Sequence, residues 1–189
     1  MFEAKPQEYV PYDVFLRSEA SSDDRHEWVD GIVYAMSRGS PEHGRLAARV
    51  TARMLSSFLD DGCEIFSSDT AIFIESAQHH TYADASLVCG SLVTRTVRDR
   101  NGKSIGEAIV NPTIIVEVLS DATERYDRDG KFEAYKKLPS FEEYVLVSQT
   151  ERRIEVRTRD GQQWRTQIGR TGQTIRVHGR DLDVDAIYG

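Results

Sequence analysis

The sequence predicts an α/β fold: a mixed β-sheet flanked by helices, with additional antiparallel strands toward the end of the chain. Three observations predict the α/β class. A short run of mostly branched aliphatics, Ile114-Ile115-Val116-Glu117-Val118-Leu119, reads as a strand covered on both faces. Leu46, Val50, Met54, Leu55, Phe58 and Leu59 recur at helical spacing, marking one long amphipathic helix. From Arg153 onward, short alternating segments follow one another as antiparallel strands do.

Residues 9–19, beginning Tyr9-Val10-Pro11-Tyr12, predict a turn and a short helix. Arg25 to Met36 predicts an antiparallel hairpin, because Asp30-Gly31 suits a tight turn between Trp28-Val29 and Ile32-Val33-Tyr34. Ser40 can cap the long helix and Pro41 suits its first turn, with the pattern running to about Asp60. Strands are expected at Glu64–Ser67 and Ala71–Ile74, with a turn near Asp69, and at Tyr82–Val88. Residues 90–111 are polar and Arg-rich and predict a long loop. A helix follows from about Arg128 to Leu138 and ends at Pro139-Ser140. Tyr144–Val147 is a buried strand, and Ile154–Arg157, Gln163–Arg165 and Thr174–Val177 are short alternating ones.

A chain of 189 residues fits one domain, taken as 1–189, with room for a substantial core. No apolar run approaches the roughly 20 residues a membrane helix needs. Met1-Phe2-Glu3-Ala4-Lys5-Pro6 lacks the basic start and apolar core of a signal peptide, so a cytoplasmic location is expected. Cys63 and Cys89 lack CxxC spacing and are expected as small buried thiols, with a disulfide as the alternative that nothing in the sequence supports. A net charge of −7 argues against a protein that coats nucleic acid. It leaves room for an enzyme whose carboxylates gather divalent cations and so reverse the local sign.

Glu117 carries the chemistry. A carboxylate inside an apolar strand loses most of its hydration, at a cost of several kcal/mol unless a cation or donors compensate. Asp84 is a second carboxylate expected within a strand. If the two strands are neighbours, both carboxylates face one cleft and offer hard oxygen ligands suited to Mg²⁺. Such an ion activates water and neutralises charge on phosphorus. Asp127, Lys131 and Tyr135 fall at i, i+4 and i+8 on the following helix. Lys131 is the candidate cation, although spacing alone favours an exposed Asp127–Lys131 pair worth about 0.3–0.5 kcal/mol. Gly102-Lys103-Ser104 is no phosphate loop, since Val97 stands where its first glycine belongs. His79-His80 reads as part of a polar turn without a third metal ligand.

Several ordered segments together resemble the signatures of the Uma-two family of the PD-(D/E)XK nuclease superfamily. They are His26-Glu27-Trp28-Val29-Asp30-Gly31, Ser40-Pro41-Glu42-His43, Tyr82-Ala83-Asp84, Asn111 through Ser120, Tyr126 through Phe132, and Tyr135 through Val147. The resemblance runs from about Tyr9 to Tyr188. It implies a restriction-endonuclease-like core and Mg²⁺- or Mn²⁺-dependent hydrolysis of DNA phosphodiester bonds. It assigns Asp84 and Glu117 as the metal-binding carboxylates. Ala83 replaces the motif proline, which alters backbone stiffness and not ligand chemistry. Leu119 occupies the position of the motif lysine. The family resembles a group whose lysine has moved to the following helix, where Lys131 stands. Glu27 matches an N-terminal acidic residue that supports the metal, against the alternative of the solvent face of a hairpin. His43 either approaches the site or caps and packs its helix, and Asp69 suits a turn. Arg95, Arg98 and Arg100 are expected to meet backbone phosphates from their loop. A homodimer would present two sites to a duplex, though nothing in the sequence demands one. Leu119 keeps a second expectation open: an inactive descendant serving as a DNA-binding or assembly module.

Overall fold

The chain runs α1 (Tyr12–Glu19), β1 (His26–Val29), β2 (Ile32–Ala35), α2 (Pro41–Phe58), β3 (Cys63–Ser67), β4 (Ala71–Ile74), β5 (His79–Tyr82) and β6 (Ala85–Cys89). Then come β7 (Thr94–Arg98), β8 (Ser104–Ile109), β9 (Ile114–Leu119), a π-helical stretch (Tyr126–Lys131) leading into α3 (Phe132–Tyr135), and β10 (Glu143–Ser148). The last elements are β11 (Arg153–Asp160), β12 (Gln163–Arg170), β13 (Thr174–Val177), β14 (Arg180–Asp183) and α4 (Val184–Tyr188). The computed structural model describes residues 8–37, 39–58 and 61–189. The expected end of the long helix at Leu59 and Asp60 lies outside them, as do residues 1–7.

The fold is mixed α/β, built on two six-stranded sheets. One has the order β12-β11-β10-β9-β6-β3, with β9 and β10 parallel and the other pairs antiparallel. The other has the order β2-β1-β5-β4-β8-β7, and β13 and β14 form a separate ribbon. β9 is buried at all six positions, as its aliphatic run requires. Its two faces meet different cores. Ile114, Val116 and Val118 pack with Leu46, Val50, Met54 and Phe58 of α2, where each fully buried side chain contributes about 1.5–3 kcal/mol. Ile115 and Leu119 pack with Phe132, Tyr135 and Phe141. A third core gathers Phe15, Leu16, Trp28 and Phe73 beneath α1.

Four expectations need correction. Residues 90–111 are not a long loop: β7 and β8 pair in an antiparallel hairpin. Thr94-Arg95-Thr96-Val97-Arg98 does alternate, but its exposed face is polar because β7 is an edge strand. His79-His80 is not a turn: both side chains are buried in β5. Tyr82–Val88 is not one strand. The backbone leaves the sheet that holds β5 after Tyr82 and enters the sheet that holds β6 at Ala85, so Ala83 and Asp84 form the passage between them. Cys63 and Cys89 are not free thiols. They lie opposite each other in the β3–β6 ladder and form a disulfide.

Candidate active site

The register of β6 against β9 positions the first carboxylate pair. Ala85 faces Val116 as the last pair of the antiparallel ladder, and one step further sets Asp84 beside Glu117. The Asp84 carboxylate closes the ladder by accepting the Val118 N–H at 2.6 Å through Oδ2. That same oxygen lies 3.3 Å from His43 Nε2. His43 arrives from the first turn of α2, where the Ser40 hydroxyl accepts its N–H at 3.1 Å, so Ser40 caps the helix as its sequence position predicts.

Lys131 reaches this strand from the π-helical stretch. Its Nζ donates to Glu117 Oε1 at 3.1 Å and to the Tyr82 carbonyl at 3.1 Å. Glu27 Oε1 lies 3.2 Å away and Asp127 Oδ1 3.5 Å away. All four charged side chains are buried: Glu27 is 5% exposed, Glu117 4%, Asp127 3% and Lys131 5%. The Asp127–Lys131 pair is therefore no solvent-exposed helix pair, and Glu27 does not sit on the solvent face of its hairpin. Tyr135 completes the helical stripe by donating to Glu117 Oε1 at 3.1 Å. Leu119, two residues beyond Glu117 on the same strand face, is packed in the apolar core. An amine from the helix thus lies beside Glu117, on the face where the motif lysine would stand.

Helical carbonyls anchored from the sheet fix that placement. Tyr144 OH donates to the Asp127 carbonyl at 2.9 Å, and Arg157 donates to the Arg128 carbonyl at 2.7 Å. Arg128 in turn pairs with Glu155 at 2.8 Å. A π-helical stretch shifts the ordinary i→i−4 pairing, so outside donors to its carbonyls are physically apt.

Three carboxylates around one ammonium set the electrostatics. Burial alone would lower the Lys131 ammonium, but Glu117, Glu27 and Asp127 outweigh it and hold the group well above its ordinary range. Burial pushes Glu117 well above the usual carboxylate range, and repulsion from Asp127 and Asp84 adds to this against the pull of Lys131. Glu27 goes the other way. Burial would raise it, yet Lys131, His79 and Thr81 together bring it down to about 2. Its oxygens accept from Thr81 Oγ1 at 2.5 Å and Tyr126 OH at 2.9 Å. The Asp84 hydrogen bond raises His43 despite partial burial.

Glu27, His43, Asp84, Glu117, Asp127 and Lys131 all line one cleft of about 1700 Å³. That exceeds the usual range of roughly 300–1,000 Å³ for a small-molecule site. Asp127, Tyr126, Thr81 and His79 belong to this cluster although sequence reasoning gave them no role in it. The only signal available for them was position, Asp127 one turn before Lys131 and the others inside family-like segments or beside them. Arg95, Arg98 and Arg100 do not line the cleft. They belong to the β7–β8 hairpin, at the edge of its sheet away from β2, and Arg95 pairs with Glu75 and covers the Phe73 ring. Asp69 pairs with Arg25.

The donor set suits a hard divalent cation. Mg²⁺ needs only one or two protein carboxylates beside water and phosphate oxygens, and the cleft holds more carboxylates than its single lysine can neutralise. Among the described residues no group of three or more His, Cys, Asp or Glu side chains is arranged to hold a metal by itself. Substrate oxygens and water would have to complete the shell.

The chain resembles two proteins of Synechocystis sp. (strain ATCC 27184 / PCC 6803 / Kazusa), both uncharacterized. One, slr1290, is 37% identical over 152 residues, 80% of this chain and 72% of its own length. The other, sll1609, is 26% identical over 141 residues, 75% of this chain and 76% of its own. Among solved structures, "a putative nuclease belonging to DUF820" from Anabaena variabilis ATCC 29413 superposes with a TM-score of 0.68 at 16% identity, covering 88% of this chain and 91% of that one. At that identity the likeness concerns the fold. The model of the Uma2 family, "Putative restriction endonuclease", matches residues 12–182, and the chain belongs to that family.

Proposed function

We propose that the protein is a Mg²⁺- or Mn²⁺-dependent endonuclease that hydrolyses phosphodiester bonds in DNA. The observation that carries this reading is the contact between Lys131 Nζ and Glu117 Oε1, which fits the resemblance's expectation of a motif lysine moved to the following helix. Membership of a restriction-endonuclease family supports the reaction class. Asp84 and Glu117 are the proposed metal ligands. When bound, the ion would lower the pKa of a water molecule and offset charge on the phosphate. Asp84 is oriented for this by Val118 N–H and His43, and Glu117 by Tyr135 and Lys131. Lys131, held protonated by its carboxylate neighbours, serves as a cation that orients water or steadies charge on phosphate oxygens, not as a base. Glu27 positions Lys131 through a second carboxylate contact at 3.2 Å.

Acting on cellular DNA implies the cytoplasm, and no helix among the described residues is long and apolar enough to cross a membrane. Calorimetric titration with Mn²⁺ tests the ligand assignment. Millimolar or tighter binding that is lost in Asp84→Asn and Glu117→Gln is expected. No binding by the unmodified protein would favour a non-catalytic binding or assembly module.

A further inference from the structure

Glu27 stands between two exposed aromatic rings. Tyr34 lies directly across from it in the β1–β2 ladder, which sets both side chains on the same face of the hairpin. Tyr126 approaches from the other side, with its hydroxyl 2.9 Å from Glu27 Oε2. Tyr34 is 49% exposed and Tyr126 39%, and both line the cleft that holds Lys131 and Glu117. The Tyr126 ring lies over Gly130, where a Cβ would come within 2.6 Å of it, so glycine there leaves room for the ring. Met36 and Leu55, the latter 46% exposed, extend the apolar wall.

The cleft is acidic. Its described lining holds the carboxylates of Glu27, Glu42, Asp84, Glu117, Asp121 and Asp127, against Arg25 and Lys131. Lys131 is engaged by its carboxylates, and Arg25 by Asp69 and the Ser68 carbonyl. A duplex hides its base faces and offers this cleft chiefly phosphates, which an acidic lining repels in either form of DNA. An unpaired strand offers the flat faces of its bases, and each base stacked on an aromatic ring contributes substantially to binding.

We propose that the cleft takes an unpaired stretch of DNA and stacks its bases on Tyr34 and Tyr126 beside the phosphate to be cut. The choice of DNA rests on the nuclease reading, but the preference for unpaired strands is tested by binding alone. A short fluorescein-labelled oligonucleotide, single-stranded or annealed to its complement, is titrated with protein in Ca²⁺ and followed by fluorescence anisotropy. Single-strand binding at least about tenfold tighter than duplex binding is expected. Tyr34→Ala should weaken single-strand binding about tenfold and leave duplex binding unchanged, while Tyr34→Phe, which keeps the ring, restores it. Tyr126→Phe should bind single strands better than Tyr126→Leu. Duplex binding as tight as single-strand binding, no DNA binding at all, or an unchanged Tyr34→Ala protein with a normal circular dichroism spectrum would overturn the proposal. So would a stable dimer, seen by sedimentation, that Tyr34→Ala and Leu55→Ala dissolve, since a second copy would then own this surface. Tight, Tyr34-dependent single-strand binding without any Mg²⁺-dependent cutting would support this inference and count against the nuclease reading.

Discussion

Lys131 Nζ lies 3.1 Å from Glu117 Oε1, from a helix that starts only after the strand bearing Glu117 has ended. The contact joins the most apolar strand to the following helix within a buried cluster of one ammonium and three carboxylates. Each ion pair in it is held by mutual need. Removing one partner leaves the other charge buried and uncompensated, at a cost of about 3–5 kcal/mol. Lys131→Met should therefore lower the free energy of urea unfolding by about that amount. Little change would mean that the carboxylates reach water in solution.

Glu27 should report its ion pair in acid. Its folded carboxyl is brought down to about 2 from its ordinary 4.5. A depressed carboxyl stabilises the fold above its unfolded pKa and loses that contribution as pH falls through the folded one. The window is thus from about 4.5 down to about 2, and the stake is on the order of 3 kcal/mol. Glu117, raised by burial, works with the opposite sign, so the comparison must isolate Glu27. The stability gap between the unmodified protein and Glu27→Gln, measured by chemical unfolding, should narrow steadily over that window. A gap constant with pH would contradict the pairing.

Tyr144→Phe removes the donor to the Asp127 carbonyl and little else. A lost buried hydrogen bond costs about 1–3 kcal/mol. Because that carbonyl lies in the stretch that carries Lys131, the variant should also lower kcat while leaving KM nearly unchanged. A fall in stability with normal kcat would limit Tyr144 to a structural role.

The Cys63–Cys89 disulfide closes a loop with a sequence separation of 26. Reduction should lower stability by about 2–4 kcal/mol. Thermal unfolding with and without a reductant, together with thiol counting on unfolded protein, measures this directly. Two titratable thiols in protein purified without reductant would contradict the bond.

Much of the site was legible because its parts carry strong local signals. A carboxylate amid branched aliphatics marks Glu117, and Asp30-Gly31 fixes the hairpin that delivers Glu27. Ser40-Pro41 sets the helix that delivers His43. The remainder depended on partners far along the chain. Asp84 reads as part of a continuous apolar strand, and only pairing with two different sheets reveals that it lies at the passage between them. Lys131 at i+4 from Asp127 looks like an ordinary surface pair until Glu27, 104 residues earlier in the chain, closes over it. His79 and His80 read as polar, yet Tyr126 meets the one and Tyr12 and Phe15 of α1 pack over the other. The β7–β8 hairpin was missed for a different reason: its exposed face is charged, and charge-rich alternation resembles a loop.

The most direct test is cleavage of supercoiled plasmid by four proteins: unmodified, Asp84→Asn, Glu117→Gln and Lys131→Met. Each is assayed with Mg²⁺, with Mn²⁺ and with EDTA, after circular dichroism has shown it folded. Nicking that requires the metal and falls at least about 100-fold in every variant is the predicted result. Metal-dependent nicking that survives in folded Lys131→Met would contradict the assignment of the relocated lysine. Cleavage unchanged in Asp84→Asn and Glu117→Gln would contradict the site as a whole.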